Sequence, residues 1–253
     1  MPCNLPPLDA HAHIAGDVTQ AQLDALGGAV VFAMTRSVNE ARYALRPAGA
    51  VAANVVWAIG VHPGVPVSLA QHSPEAFAGE LDRFALAGEV GLAGRSSETQ
   101  TNVFRSVLES AADHPVLVSV HSAGARTEVL DEIARHSLPG VVLHWFNGTQ
   151  AEFDRAIELG CWFSVNAAMS DATLRMVPPD RLLTETDFPA ARRKTLAARP
   201  GDVREIESRL VALGRTDVRT QVWRNLASLV EEAGVMTKLP SAVQQVIHSA
   251  TQG

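Results

Sequence analysis

The apolar positions along the chain switch repeatedly between two periods. Short runs rich in Val, Ile, Phe and Trp occur at 8–13, 29–34, 55–62, 84–92, 116–121, 140–146, 161–166 and 182–188, and most end in Gly, Asn, Ser or Pro. Those features predict strands. Helical patterns fill the intervals, at 19–26, 38–52, 74–83, 98–113, 125–136, 151–159 and 171–176, with a final pair after Asp202. Thr149 is followed three residues later by Glu152, and Asp202 by Glu205, so capping boxes are expected at both helix starts. Eight strands alternating with helices predict an α/β fold of the (β/α)8 TIM-barrel type, one domain over 1–253 with its core at 8–233. An open doubly wound sheet would show fewer strands and a glycine-rich phosphate loop after the first. Here the first strand ends in His-Ala-His instead. Beyond Gly234 the periodicity fades, and 234–253 reads as a flexible tail.

Composition narrows the classes. With 47% hydrophobic and 19% charged residues, the chain can bury a large core and is not a disordered protein. Two cysteines, Cys3 and Cys161, are too few for a disulfide framework and suit a reducing, cytoplasmic setting. No apolar run reaches the roughly 18 residues of a membrane span, and the first residues lack the pattern of a secretory signal. A net charge of −6 argues against coating nucleic acid through the overall field. One local exception is the 189–202 stretch, expected to be a long loop on the active-site face. It carries Arg192, Arg193, Lys194 and Arg199 against the single acid Asp202.

The chemistry-bearing side chains cluster by strand position. Asp9, His11 and His13 close the first strand, Glu89 lies near the end of the fourth, and His121 ends the fifth. His144 lies late in the sixth and Asp187 ends the eighth. In this fold the C-terminal strand ends converge on the active site. Residues two apart on a strand share a face, so His11 and His13 point the same way. Asp9 has the same parity and can orient a histidine or close the strand beneath a metal. A single buried histidine is ordinarily a hydrogen-bonded core residue. His72, His114, His136 and His248 read that way. The combination of His-x-His, Glu, His, His and Asp at successive strand ends points to a metal site. The histidines favour Zn or Mn, and the carboxylates Mg or Mn.

Six blocks carry a family resemblance: Leu-Asp-Ala-His-Ala-His (8–13), Gly-Val-His-Pro (60–63), Gly-Glu-Val-Gly-Leu (88–92), Val-His-Ser (120–122), Leu-His-Trp-Phe-Asn-Gly (143–148) and Leu-Thr-Glu-Thr-Asp-Phe-Pro (183–189). In order and content they resemble the signature blocks of the TatD family of metal-dependent deoxyribonucleases, from about residue 8 to 230. The stretch from His144 through 160–166 is similar to TatD-like nucleases of anti-phage defence loci, the QatD type. The resemblance implies a distorted TIM barrel of the metallo-dependent hydrolase type holding two divalent metal ions. His11, His13 and Asp187 would bind one, His121 and His144 the other, and Glu89 would bridge them. Glu89 and Asp187 would be the catalytic carboxylates. His62 is implied as a phosphate contact and Glu185 as support for the site, while Arg192 and Arg193 are candidates for the substrate. DNA is the implied partner, single-stranded or at 3′ ends, in repair or alongside defence-system proteins. Ala93, Gly64, Ala123 and Leu108 stand where the family commonly has Asp, His, Arg and Gln. None is among the six ligands, so these departures bear on substrate positioning.

Two metals suit phosphodiester hydrolysis by an activated water, with no protein nucleophile required. An amidohydrolase acting on a small molecule is the rival enzyme. Its common bridging group, a carboxylated lysine at strand four or five, is excluded, because the only lysines are Lys194 and Lys238. A weakly catalytic subunit that binds DNA or a partner in a defence complex is the rival from another class.

Overall fold

The structure, a computed structural model, describes residues 5–46, 52–190 and 192–252. Eight parallel strands are paired in sequence order: β1 Leu8–His13, β2 Val30–Met34, β3 Val55–Ile59, β4 Leu86–Gly91, β5 Leu117–His121, β6 Val141–His144, β7 Trp162–Val165 and β8 Leu182–Thr184. Every ladder from β1–β2 to β7–β8 is parallel. The two ends of the sheet meet. Thr184 Oγ1 donates to the Leu8 carbonyl at 2.6 Å, Asp187 N to that of His11 at 2.9 Å, and His13 N to that of Phe188 at 2.7 Å. A nearly closed α/β barrel results, as the strand count predicts.

The helices are α1 Gln20–Asp24, α2 Val38–Ala44, α3 Pro66–Ala70, α4 Pro74–Leu81, α5 Glu98–Ala112, α6 Arg126–Ile133, α7 Gln150–Glu158, α8 Asp171–Met176, α9 Arg192–Thr195, α10 Arg204–Ala212, α11 Val218–Glu232 and α12 Ser241–Thr251. Their apolar faces and the outward face of the sheet bury Phe77, Phe84, Phe104, Phe153, Trp162 and Trp223. A separate small cluster of Ala12, Ile14, Leu23, Leu26, Ala29 and Val31 lies beneath the β1–α1 connection. Among the described residues, no helix is long and apolar enough to cross a membrane.

Several expectations change. The helix expected over 38–52 ends at Ala44, and 47–51 lie outside the described residues, as does Cys3. Helix α3 was not anticipated, since five residues are too few to show a period. The box at Thr149 forms, with Thr149 and Glu152 satisfying each other's backbone amides. The box at Asp202 does not. The Asp202 carboxylate accepts from Ala198 N at 3.1 Å and Arg204 Nε at 2.7 Å, and α10 starts at Arg204 without a side-chain cap. The tail is also different from expectation. Residues 241–251 form α12, and Val243, Ile247 and Ala250 are buried on the face that meets α11. Their spacing is helical but covers only one short face, isolated from the preceding pattern by Pro240. Finally, β8 stops at Thr184, so Glu185 and Asp187 lie just past it. Asp187 has φ +49°, which turns the chain out of the strand.

Candidate metal centre

Strands β1, β4, β5 and β6 deliver His11, His13, Glu89, His121 and His144 to one end of the barrel, and the turn after β8 adds Asp187. Glu89 is the hub. Its Oε2 lies 3.1 Å from His13 Nε2, 3.2 Å from His62 Nε2 and 3.6 Å from His11 Nε2. Its Oε1 lies 2.5 Å from His121 Nδ1 and 3.0 Å from His144 Nε2. Asp187 Oδ1 sits 3.7 Å from His11 Nε2 and 3.8 Å from His13 Nε2. The His11 and His144 rings are stacked, with centroids 3.8 Å apart. The glycines flanking Glu89 make room for this packing. At Gly91, with φ +131°, a Cβ would sit 2.2 Å from the His121 carbonyl oxygen; at Gly88 it would sit 2.7 Å from Met34 Sδ.

A supporting layer holds these groups. Ser119 Oγ is 2.8 Å from His11 Nδ1. Glu185 accepts from Asn166 Nδ2 at 2.8 Å and from Ser164 Oγ, and its Oε1 lies 3.8 Å from His144 Nδ1. The role suggested for Asp9 as orienter of a histidine ring is not what the geometry shows. Its carboxylate accepts from Thr186 N at 2.9 Å, Thr186 Oγ1 at 2.6 Å and Gly201 N at 2.7 Å, and it makes no contact with an imidazole nitrogen. Asp9 therefore ties β1 to the loop after β8, and Ser119 contacts the His11 ring.

Burial dominates the electrostatics. It pushes the Asp9 and Asp187 carboxyls up to about 7, well above an ordinary aspartate. It also pushes His11 well below, and His121 below, the usual imidazole range. Burial would raise Glu89 as well, yet the charge of His144 and the close approach of the His11, His121 and His13 rings hold it well below the usual range. His144 moves the other way. Burial disfavours its charge, but Glu89 and Glu185 overcome that and raise it well above the normal value. Cys161 is buried, with its thiol pushed up to about 12, and is inert as a nucleophile.

The donor set fits divalent cations. His11 Nε2 is buried without a hydrogen-bond partner, as are His13 Nδ1 and His144 Nδ1. A buried polar atom left unmatched is costly. The unmatched His11 nitrogen faces both carboxylates at distances too long for hydrogen bonds. Among the described residues, three groups bring one donor atom each to within 4.8 Å of the others: His11, His13 and Asp187; His11, Glu89 and His144; His62, Glu89 and His121. All six ligands implied by the sequence are thus brought together. His62, implied as a phosphate contact, joins them. Arg192 and Arg193 are exposed on α9, where Arg192 lies 5.7 Å from the Phe188 ring. Sequence reasoning did not single out Ser119, Ser164 and Asn166. The available signal was parity, because Ser119 precedes His121 by two and Ser164 and Asn166 are two apart.

Known proteins give a consistent picture. A family model described as TatD related DNase matches residues 8–231. The 3′-5′ ssDNA/RNA exonuclease TatD of Cronobacter sakazakii is 34% identical over 158 residues, 56% of this chain and 60% of that protein. The chain thus spans about three fifths of that relative's length. The TatD homologue YjjV of Escherichia coli K12 superposes with a TM-score of 0.71 at 22% identity, covering 88% of this chain and 96% of that one. The phosphotriesterase homology protein of Escherichia coli, solved with phosphate in its active site, superposes with a TM-score of 0.60 at 15% identity, covering 88% and 96%. These superpositions bear on the fold.

Proposed function

The chain belongs to the TatD-related DNase family, and on that premise we propose that it is a divalent-metal-dependent nuclease trimming single-stranded DNA from 3′ ends. The observation that carries the proposal is the ring of five histidines around the buried Glu89 carboxylate, with Asp187 beside it. His11, His13 and Asp187 would hold one cation and His121 and His144 a second, with Glu89 serving both. His62 lies near enough to Glu89 to serve either a cation or the substrate phosphate. Mg, Mn and Zn are all compatible with nitrogen and carboxylate donors. When bound, such ions supply a nucleophilic water at neutral pH and countercharge for the phosphate.

The chain's own groups prepare that chemistry. For His11 Nε2 to present a lone pair, Nδ1 must carry the proton, and Ser119 Oγ is placed to accept it. Glu185, held by Ser164 and Asn166, stands 3.8 Å from His144 Nδ1 and favours the proton on that side of the ring by its charge. Asp187, whose Oδ1 lies 3.7 Å from His11 Nε2 and 3.8 Å from His13 Nε2, is placed at the edge of the centre where it would accept the proton of the attacking water. Water attacks the terminal phosphorus and the bond to the 3′ oxygen breaks. That oxygen takes a proton to leave a 3′-hydroxyl on the shortened strand, and a 5′-mononucleotide departs. The exposed cations of α9 would draw the strand toward the centre. We assign this work to the cytoplasm, in DNA repair or within an anti-phage defence locus.

The test is hydrolysis of an end-labelled single strand by protein stripped with EDTA, then supplied with Mn, Mg or Zn. Loss on stripping and recovery on supply are expected. Full activity in protein shown to be metal-free by mass spectrometry would overturn the proposal, as would hydrolysis of a panel of amides and lactones with none of DNA.

A further inference from the structure

Beside the metal centre lies a cavity of about 320 Å³, between the chain segments 14–26 and 188–200. One of its lining residues is His13, which belongs to the donor set. Ile14, Val18 and Leu26 contribute aliphatic surface, Phe188 lines the cavity next in sequence to Asp187, and two exposed charged residues, Arg199 and Asp17, line it as well. The walls rest on the small apolar cluster under β1, to which Phe188 is packed.

We propose that this cavity is a nucleobase subsite, occupied by the base of the 3′-terminal nucleotide while its phosphate lies at the histidine and carboxylate centre. The proposal rests on the nuclease reading and names the part of the substrate this region takes. Three observations select that occupant. First, His13 both lines the cavity and belongs to the centre, so a base in the cavity would lie within one nucleotide of a phosphate held there. Second, it combines an aromatic ring and aliphatic side chains with an exposed cation, Arg199. Single-strand binders use those elements to stack a base and steady its backbone. Third, the walls are largely apolar, and the volume suits a planar base. Stacking against Phe188 needs no reading of base edges, so the subsite tolerates every base.

The experiment compares two single strands that differ only at the 3′-terminal residue, which is a normal nucleotide in one and an abasic residue in the other. KM is measured with Mn2+. Binding is measured by fluorescence anisotropy of a 5′-fluorescein label, with Ca2+ replacing Mn2+. The abasic strand is expected to bind about fivefold more weakly or worse, the equivalent of one lost stacking contact. Two variants change the cavity without replacing a metal donor. Phe188→Leu keeps apolar volume and removes the ring, and Ala25→Phe fills the cavity from its rim, away from the metal donors. Each should bring the normal strand down to the abasic level while leaving the abasic strand and the metal content unchanged. Equal KM and equal binding of the two strands by the parent protein would overturn the subsite and leave the nuclease reading standing. Neither binding nor hydrolysis of any strand with Mn, Mg or Zn would overturn that reading and the subsite with it.

Discussion

Glu89 is almost completely buried, and imidazole nitrogens surround both of its oxygens. A carboxylate in that position keeps its charge only because cationic partners repay its lost hydration. Glu89→Gln preserves the shape and removes the charge that two cations would share. We expect kcat/KM on a single strand to fall at least about 100-fold, roughly 2.7 kcal/mol of transition-state stabilisation. The protein should stay folded by circular dichroism. His136→Ala, outside this centre, should stay near the parent value, and equal losses from the two changes would remove Glu89 from the hub. Ser119→Ala tests the supporting layer. It deletes one hydroxyl from His11 Nδ1 and leaves every ligand in place. Metal affinity, read by competition with a chelating dye, should drop about 10- to 100-fold. Unchanged affinity would show that His11 needs no orienting partner. The residues gathered around Glu89 were legible in the sequence because histidine and glutamate at strand ends are chemically conspicuous. Ser119, Ser164 and Asn166 were not, because a small polar residue in a strand has many ordinary uses.

At the scale of elements, the segment after β8 shows how local pattern and final structure part company. Its excess of arginine reads from the sequence, and it contains the short helix α9 within what was expected to be a loop. Arg192, Arg193 and Lys194 remain exposed, whereas Asp202 is engaged by Arg204 and the Ala198 amide. The one acid of this stretch is thus already committed. Replacing Arg192 and Arg193 together by alanine should raise KM for an oligonucleotide and leave metal content unchanged. It should also flatten the fall of log affinity with log salt by about one to two units. An unaltered salt slope would assign phosphate contacts elsewhere, with His62, Arg95 and Arg126 the next candidates. The same contest explains the two capping boxes. Thr149 has no competing partner for Glu152 strong enough to unmake its box, although Arg126 also reaches that carboxylate at 3.3 Å. Asp202 has a nearby guanidinium and takes it instead.

For the whole molecule, Asp9, Glu89, Glu185 and Asp187 are buried carboxyl groups gathered at one end of the barrel. Cations bound there would act on folding itself, since they bind the assembled site and not the unfolded chain. At a free concentration about 100 times Kd the gain is about 2.7 kcal/mol, which for a chain of this size is about 5 to 10 °C in Tm. Differential scanning calorimetry with EDTA and with Mn should show that rise. Identical melting curves would argue that the cluster holds no ion tightly. The sequence by itself determined the barrel, because alternation of short apolar runs with helical patterns leaves few other ways to bury both faces of eight parallel strands. It also determined which strand residues reach the centre, since strand parity and strand ends decide which of their side chains share a mouth. Tertiary structure alone decided what those residues do to one another. Asp9 bonds to Thr186 and Gly201, nearly two hundred residues along the chain, and His62 comes to Glu89 from the loop after β3. It likewise decided that the last helix docks on α11 and that β8 turns away at Asp187. Period and parity are properties of neighbours in the chain, whereas hydrogen-bond partners, burial and the resulting proton affinities depend on groups brought together only when the barrel closes.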